Sequence, residues 1–444
     1  MAQTILKDLG SGLILRRATP ADAEALSTFN AAVHSDDGPD KPDERIGAWV
    51  RDLMTQPHPT TSAGDFIIVE DMRTKKIVSS MNLIPQTWSY AGIEFDVGRP
   101  ELVGTDPEYR RRGLVREQFD IIHAWSAARG HKLQIITGIP YYYRQFGYEM
   151  GLALDGGRVG YLPHIPKLKD DEEEAYRLRP AEARDIAFIT KLYSARAQRQ
   201  LLHCERNENT MQYELFGKSE KNINRIETRI IENTNGEAAG YLMHPPFLWG
   251  PTLTVREFEL VAGLSWLAVA PSALRYLKTT GEAYAAEKDE QEFQAFAMWM
   301  GVEHPIYEAI SDLLPRVRDP YAYYVRVADL PDFLMHISPE LEARLAKSVL
   351  AGHSGELKLN FFKNGVKLTF EGGALRAAES YVPEKTEDGD ALFPDLTFLR
   401  VLFGYNSFWD IEKLFADCYV RNNAARALVP ILFPKQTSNV WSLA

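Results

Sequence analysis

Residues 103–120 read VGTDPEYRRRGLVREQFD, which sets Arg110, Arg111 and Arg112 directly before Gly113. Adjacent guanidinium groups repel one another, and a glycine inside a helix costs about 1 kcal/mol, so the arrangement needs a compensating partner. It falls where a strand-like pattern stops and a helix-like one begins. A strand that runs through a loop into a helix gathers free main-chain N–H groups and the positive end of the helix dipole at one spot. Gly113 lets the backbone approach closely and Arg111, Arg112 and Arg116 add charge, so the natural guest is a diphosphate. The phosphate loop GxxxxGK[ST] and the dinucleotide pattern GxGxxG are both missing. For the RRRG string taken alone, a solvated basic helix start is an equally good explanation.

The surroundings favour the anion. Residues 103–116 resemble the acetyl-CoA-binding motif of the GNAT N-acetyltransferase superfamily, Arg/Gln-x-x-Gly-x-Gly/Ala, with Arg110 and Gly113 in the first two places and Val115 where Gly or Ala is usual. Further on, TGIPYYYRQFGYEMGL (residues 137–152) resembles the superfamily's later element, a Tyr followed by a Phe-Gly-Phe/Tyr turn beside the cofactor's sulfur. RRRGL together with Tyr-x-x-Phe-Gly-Tyr is similar to the enhanced-intracellular-survival (Eis) branch, and the resemblance extends over the whole chain. It implies an α/β (α+β) architecture: tandem GNAT (acyl-CoA N-acyltransferase) folds followed by a sterol-carrier-protein-like α+β domain. It also implies acetyl-CoA as acetyl donor, with the pantetheine along Val103, Gly104 and Thr105 as an added strand. The pyrophosphate would lie on Arg111, Arg112, Gly113, Leu114, Val115 and Arg116, with Gly138 and Ile139 also touching the cofactor. Tyr143 would be the general acid, since a phenol near pKa 10 is close to a thiol; Tyr141 and Tyr142 are its neighbours. The α-carboxylate of Ala444 would be the base, with Glu101 as the fallback.

The elements that position these residues can be read coarsely. The first region gives strands at DFIIVED, KIVSSMNLIPQTWSYAGIEFDVG with a turn near residues 90–92, and PELVG; a helix then opens at Gly113, with Val115, Phe119 and Ile122 on one face and Gly130 after its end. Trp88, Tyr90 and Phe95 suit either an acceptor pocket or the core. The charge run in KLKDDEEEAYRLRP reads as a connector, giving divisions at 1–166 (catalytic), 167–320 (degenerate second copy) and 321–444 (C-terminal). Leu15, Arg16, Ala18 and Asp22 recur as Leu178, Arg179, Ala181 and Asp185, the same opening written twice. Aligning Pro271 with Pro107 puts Leu274 and Leu277 in place of Arg110 and Gly113, so one active site per chain is expected. In the last region the alternation in ELKLNFFKNGVKLTFEGG around Asn364-Gly365 is a hairpin signal.

Composition sets outer limits. The 444 residues exceed one hydrophobic core. A net charge of -11 argues against nucleic acid; the family resemblance implies multi-amine acceptors such as aminoglycosides or lysine-type amines, which that charge would favour by long-range attraction. Cys204 and Cys418 have no metal or disulfide spacing, and the ten histidines show no HExxH, so no metal is expected. The N-terminal stretch does not read as a secretory signal and no run of about 20 apolar residues occurs, so a cytoplasmic protein without membrane contact is expected. The family resemblance implies a homo-oligomer, a trimer or hexamer. The competing functions are a non-catalytic acyl-CoA or apolar-ligand binding protein, and an acyltransferase with another donor.

Overall fold

The computed structural model describes residues 4–287 and 291–444. Antiparallel strands β1 (Ile5–Gly10), β2 (Leu13–Arg17) and β3 (Phe66–Asp71) lead into the long hairpin of β4 (Lys76–Tyr90) and β5 (Ile93–Thr105). Its two-residue turn, Ala91 and Gly92, has both residues at positive φ (49° and 85°), which matches the right-handed twist of the flanking strands. Helices α1 (Ala23–Val33) and α2 (Glu44–Thr55) sit between β2 and β3, and α3 (Leu114–Ala128) follows β5. Phe119 and Ile122 of α3 are fully buried, and Gly130 turns the chain at φ 75° toward β6 (Leu133–Ile136).

The β5 strand does not stay in step with its neighbours. Ser80 pairs with Gly104 and Asn82 with Glu101, so Leu102 and Val103 oppose the single residue Met81. This is a β-bulge, with Leu102 at φ 53°, and bulges bend the strand and increase its twist. On its other side β5 pairs with β6 only at Val97–Leu133 and Gly98–Gln134. Past Gly98 the two strands part, leaving a V-shaped split in the sheet.

The sheets cross the divisions expected at 166/167 and 320/321. Strand β8 (Gly157–Tyr161), which follows β7 (Glu149–Leu154), pairs with Ala295–Met298 and Arg316–Arg318. Strand Tyr321–Val327 returns to lie between β6 and β7 in the first sheet. Main-chain pairing, not nearness in sequence, decides which sheet a strand completes.

The duplicated opening has a physical basis. Arg16 binds Asp22 through both terminal nitrogens (3.0 and 2.7 Å) and Glu70 through Nε at 2.7 Å. Arg179 repeats this with Asp185 (2.7 and 2.9 Å) and Glu232 (2.7 Å). The sheet order Glu257–Leu260, Ala238–His244, Glu227–Asn233, Tyr176–Pro180 repeats β5-β4-β3-β2.

The threading of the second loop is corrected by the structure. Pro107 lies in a short 3-10 turn before α3, whereas Pro271, Leu274 and Leu277 all lie inside the helix Trp266–Ala286, both leucines fully buried. The turn that corresponds to the arginine loop is residues 261–265, VAGLS, which carries no charge. The conclusion that the second copy lacks an anion loop stands on different residues from those first aligned.

In the C-terminal part, Gly355–Asn360 and Gly365–Glu371 form the hairpin read from Asn364-Gly365, its connection spanning residues 361–364. The largest apolar core joins this part to the first sheet: Phe333 packs edge-on against Tyr90 and Phe95, and Trp88 is fully buried with its indole N–H on Gln86. Trp88, Tyr90 and Phe95 therefore serve the core. Among the described residues no helix is long and apolar enough to cross a membrane, and no group of three or more His, Cys, Asp or Glu is arranged to hold a metal ion.

Candidate active site

The split between β5 and β6 opens into a cleft of about 580 Å³ beside the start of α3. Val103, Gly104, Thr105, Arg111, Arg112, Gly113, Leu114, Val115, Arg116 and Ile139 line it, with Tyr142 and Tyr143 on the facing wall. Gly138 lies just behind Tyr143: a Cβ at this glycine would sit 3.3 Å from the phenol oxygen, and its φ of 128° suits no other residue.

The loop geometry favours an anion. Gly113 caps α3 at φ 79° and Arg111 takes φ 61°, turning the chain sharply so that the Leu114 and Val115 amides open the helix without intrahelical partners, while the Arg116 amide donates to the Gly113 carbonyl at 3.0 Å. The arginines are braced by neutral groups: Arg110 Nε donates to the Thr105 carbonyl (3.3 Å), Arg112 to the Glu108 carbonyl (3.1 Å) and Arg116 to Gln145 Oε1 (3.1 Å). Arg112 also stacks over Tyr109, and Arg116 over Phe146. Among the described residues none of Arg110, Arg111, Arg112 and Arg116 pairs with a carboxylate, so the cluster keeps its full positive charge. A merely solvated helix start would have no cleft in front of it.

Of the three consecutive tyrosines, Tyr141 is 76% exposed at positive φ and Tyr142 is half-buried, while Tyr143 is 5% exposed. Its ring packs edge-on against Phe119 and Tyr324. Burial, and then the nearby charge of Glu101, push its phenol well above the usual value, so it carries its proton at neutral pH.

Ala444 does not line this cleft. The C-terminal segment is docked in a channel on the other side of the split, with Ala444 packed in a cluster that includes Leu26, Trp49, Ile84 and Leu102. Arg196 holds the Asn439 carbonyl (2.7 Å), Arg206 the Trp441 carbonyl (2.9 Å), and Arg99 and Gln86 the Leu443 carbonyl (2.7 and 3.2 Å). Tyr323 and Ser442 share a hydroxyl hydrogen bond. Glu101, the other base candidate, is ion-paired to the same Arg99 at 2.7 Å. One guanidinium thus anchors both carboxylate-bearing segments.

Arg99 and His34 went unnoticed in the sequence. The arginine two residues before Glu101 in the half-buried strand segment DVGRPELVG was the available signal for Arg99. His34 gave none, since it follows α1 far from the motif. Its ring lines the cleft, and its Nε2 has no partner among the described residues and sits 3.3 Å from where Gly104 would carry a Cβ. Burial lowers its pKa despite the charge of Glu101, so it is a neutral imidazole in the cleft wall. His123 is tied to Tyr148 at 3.0 Å and belongs to the packing of α3.

Residues 15–151 match the acetyltransferase (GNAT) domain. Among curated proteins no relative matches the chain. Solved structures similar over nearly the whole length include an Enterococcus faecalis V583 protein described as a probable N-acyltransferase of unknown function (13% identity, 96% of this chain and 97% of that one, TM-score 0.64). A GCN5-related N-acetyltransferase from Anabaena variabilis ATCC 29413 is similar at 13% identity over 97% and 99% of the two chains, TM-score 0.60. Eis1 from Mycobacterium abscessus is similar at 14% identity over 96% and 99%, TM-score 0.57. Identities this low speak for a shared fold.

Proposed function

We propose that the protein is an acetyl-CoA-dependent N-acetyltransferase that acetylates a primary amine at one site per chain, in the first of two GNAT-like units. One observation carries this reading: a single cleft joins an unneutralised arginine loop at a helix start, an unpaired strand edge and a buried, protonated phenol.

The groups suit the donor they would hold. The main-chain amides of Gly113, Leu114 and Val115, with the Arg111, Arg112 and Arg116 side chains, would take the two phosphoryl groups. The edge at Val103, Gly104 and Thr105 would pair with the pantetheine amides as an added strand. Acetyl-CoA supplies an activated acyl group as a thioester. In the transfer the amine nitrogen bonds to the acyl carbon and the carbon–sulfur bond breaks. The Ala444 carboxylate takes the proton the amine loses, and Tyr143 gives its proton to the departing sulfur. Glu101, engaged by Arg99, and neutral His34 are the alternative proton acceptors within reach of the split.

A thiol-release assay with acetyl-CoA and a panel of aminoglycosides, polyamines, lysine peptides and amino acids tests the reading. Release of one thiol per acetylated amine supports it. Acetyl-CoA binding without amine-dependent release would point to a binding protein.

A further inference from the structure

The acceptor's chemistry can be read from the other side of the split. A second cavity of about 420 Å³ is lined by Arg99, Thr137, Tyr323 and Ala444 at its floor and by Asp155, Arg256, Trp299, Arg318 and Trp441 around its walls. Arg99 and Thr137 follow the last β5–β6 pair, Gly98–Gln134. Thr137 lines this cavity and Ile139 lines the donor cleft, so the two spaces flank Gly138. The crossing of strands between sheets assembles the walls: Asp155 directly follows β7, Trp299 directly follows Ala295–Met298, and Arg318 ends Arg316–Arg318, both of which pair with β8.

At the far wall of this cavity two guanidinium groups share one carboxylate, while the Ala444 carboxylate lies by Arg99. The Arg256 guanidinium lies 3.9 Å from the Trp441 ring centre and 5.0 Å from that of Trp299, and Arg318 lies 3.6 Å from Trp299 on stacking contact. Stacking holds both cations in place without neutralising them. Their shared counter-charge is Asp155, at long distances of 3.5 and 3.8 Å. Burial and the neighbouring Arg318 outweigh Asp155 and lower the Arg256 pKa to about 10. Behind the lining, Arg99 Nε, Arg318 Nη1, Trp299 Nε1, Trp441 Nε1 and Asn224 Nδ2 are buried atoms without a hydrogen-bond partner among the described residues. All five are donors. The chain's charge of -11 attracts cations at long range, yet the wall of this cavity asks for an anion.

We infer that the acceptor is a primary amine that also carries a carboxylate, an amino acid in the broad sense, held with its carboxylate between Arg256 and Arg318 and its body against Trp299 and Trp441. Its amine then faces the Ala444 carboxylate and the split that leads to the donor. A pure polycation would leave the guanidinium groups unpaired and add repulsion. This inference rests on the acetyl-transfer reading, and binding measurements separate the two.

The test is calorimetry of the full chain, saturated with CoA, against acid and amide pairs: N-acetylglycine, N-acetylleucine and N-acetylphenylalanine, each beside its carboxamide. At least one acid should bind about tenfold or more tightly than its amide, because charge-assisted bonds to the guanidinium groups are lost in the amide. Arg318→Gln should erase that preference while leaving CoA affinity unchanged. Equal binding within every pair, no binding by any acid, or an acid preference that survives both Arg318→Gln and Arg256→Gln would overturn the inference, the last result marking the Arg–Trp stack as structural only. Amine turnover without acid preference would sink this inference alone. Acid preference without amine-dependent thiol release would sink the transfer reading instead.

Discussion

At the scale of residues, the site depends on a few positions whose geometry admits little change. Tyr143→Phe removes the only ionisable atom of the buried ring and keeps its packing, so kcat should fall by about 10²-fold or more with acetyl-CoA affinity nearly unchanged. An unaltered rate would remove Tyr143 from the mechanism. A Cβ on Gly113 would meet nothing within 4 Å, so Gly113→Ala acts only through its φ of 79°. Left-handed backbone costs a non-glycine residue about 1–2 kcal/mol, and the Kd for acetyl-CoA should rise several-fold. The loop and Tyr143 could be proposed from the sequence because their residues are close together in it and their chemistry is unusual. His34 and Arg99 reach the site only through the packing of α1 and the split of β5 from β6.

At the scale of elements, the two Arg–Asp–Glu clusters make matched experiments. The Arg16 side chain is 3% exposed and the Arg179 side chain 24%. Arg16→Met strands Asp22 and Glu70 in a dry setting and should lower unfolding stability by about 3–5 kcal/mol, as breaking a buried pair does. Arg179→Met should cost clearly less, because water can replace the lost partner. Equal losses in denaturant titrations would contradict the burial argument. The docked C-terminal segment gives a second test: adding Gly-Ser-Gly after Ala444 should move the terminal carboxylate and abolish turnover. Full activity would hand the base role to Glu101 or His34. The repeat was readable because the same residues recur at the same spacing. A shared proline is a weak anchor for aligning the second loop: Pro107 opens a 3-10 turn, where its missing N–H costs nothing, whereas Pro271 lies in the second turn of a helix.

At the scale of the whole molecule, strand crossing binds the units together, and no local pattern announced it. β8 and Tyr321–Val327 look like ordinary strands, and only long-range pairing assigns each to its sheet. A consequence of so much joint burial is pH dependence. His131, His203 and His244 are buried, and burial lowers their pKa values to about 4, about 3 and about 4. Below the unfolded value near 6.5 the unfolded chain takes up protons that the fold refuses, so stability is full above that pH and falls as pH drops toward 4, by up to about 1.4 kcal/mol per pH unit for each histidine. Carboxylates with depressed values, such as Asp22 and Asp185, lose their contribution only at still lower pH. The urea midpoint should therefore fall steadily between pH 7 and pH 4.5, and a flat profile would contradict the burial of these imidazoles. The most direct test of the central claim, that one arginine-lined cleft per chain holds the diphosphate of the donor, is titration calorimetry of the full chain with acetyl-CoA. One site per chain is expected, weakened together by Arg111→Ala and Arg112→Ala; no binding, or two equivalent sites per chain, would contradict it.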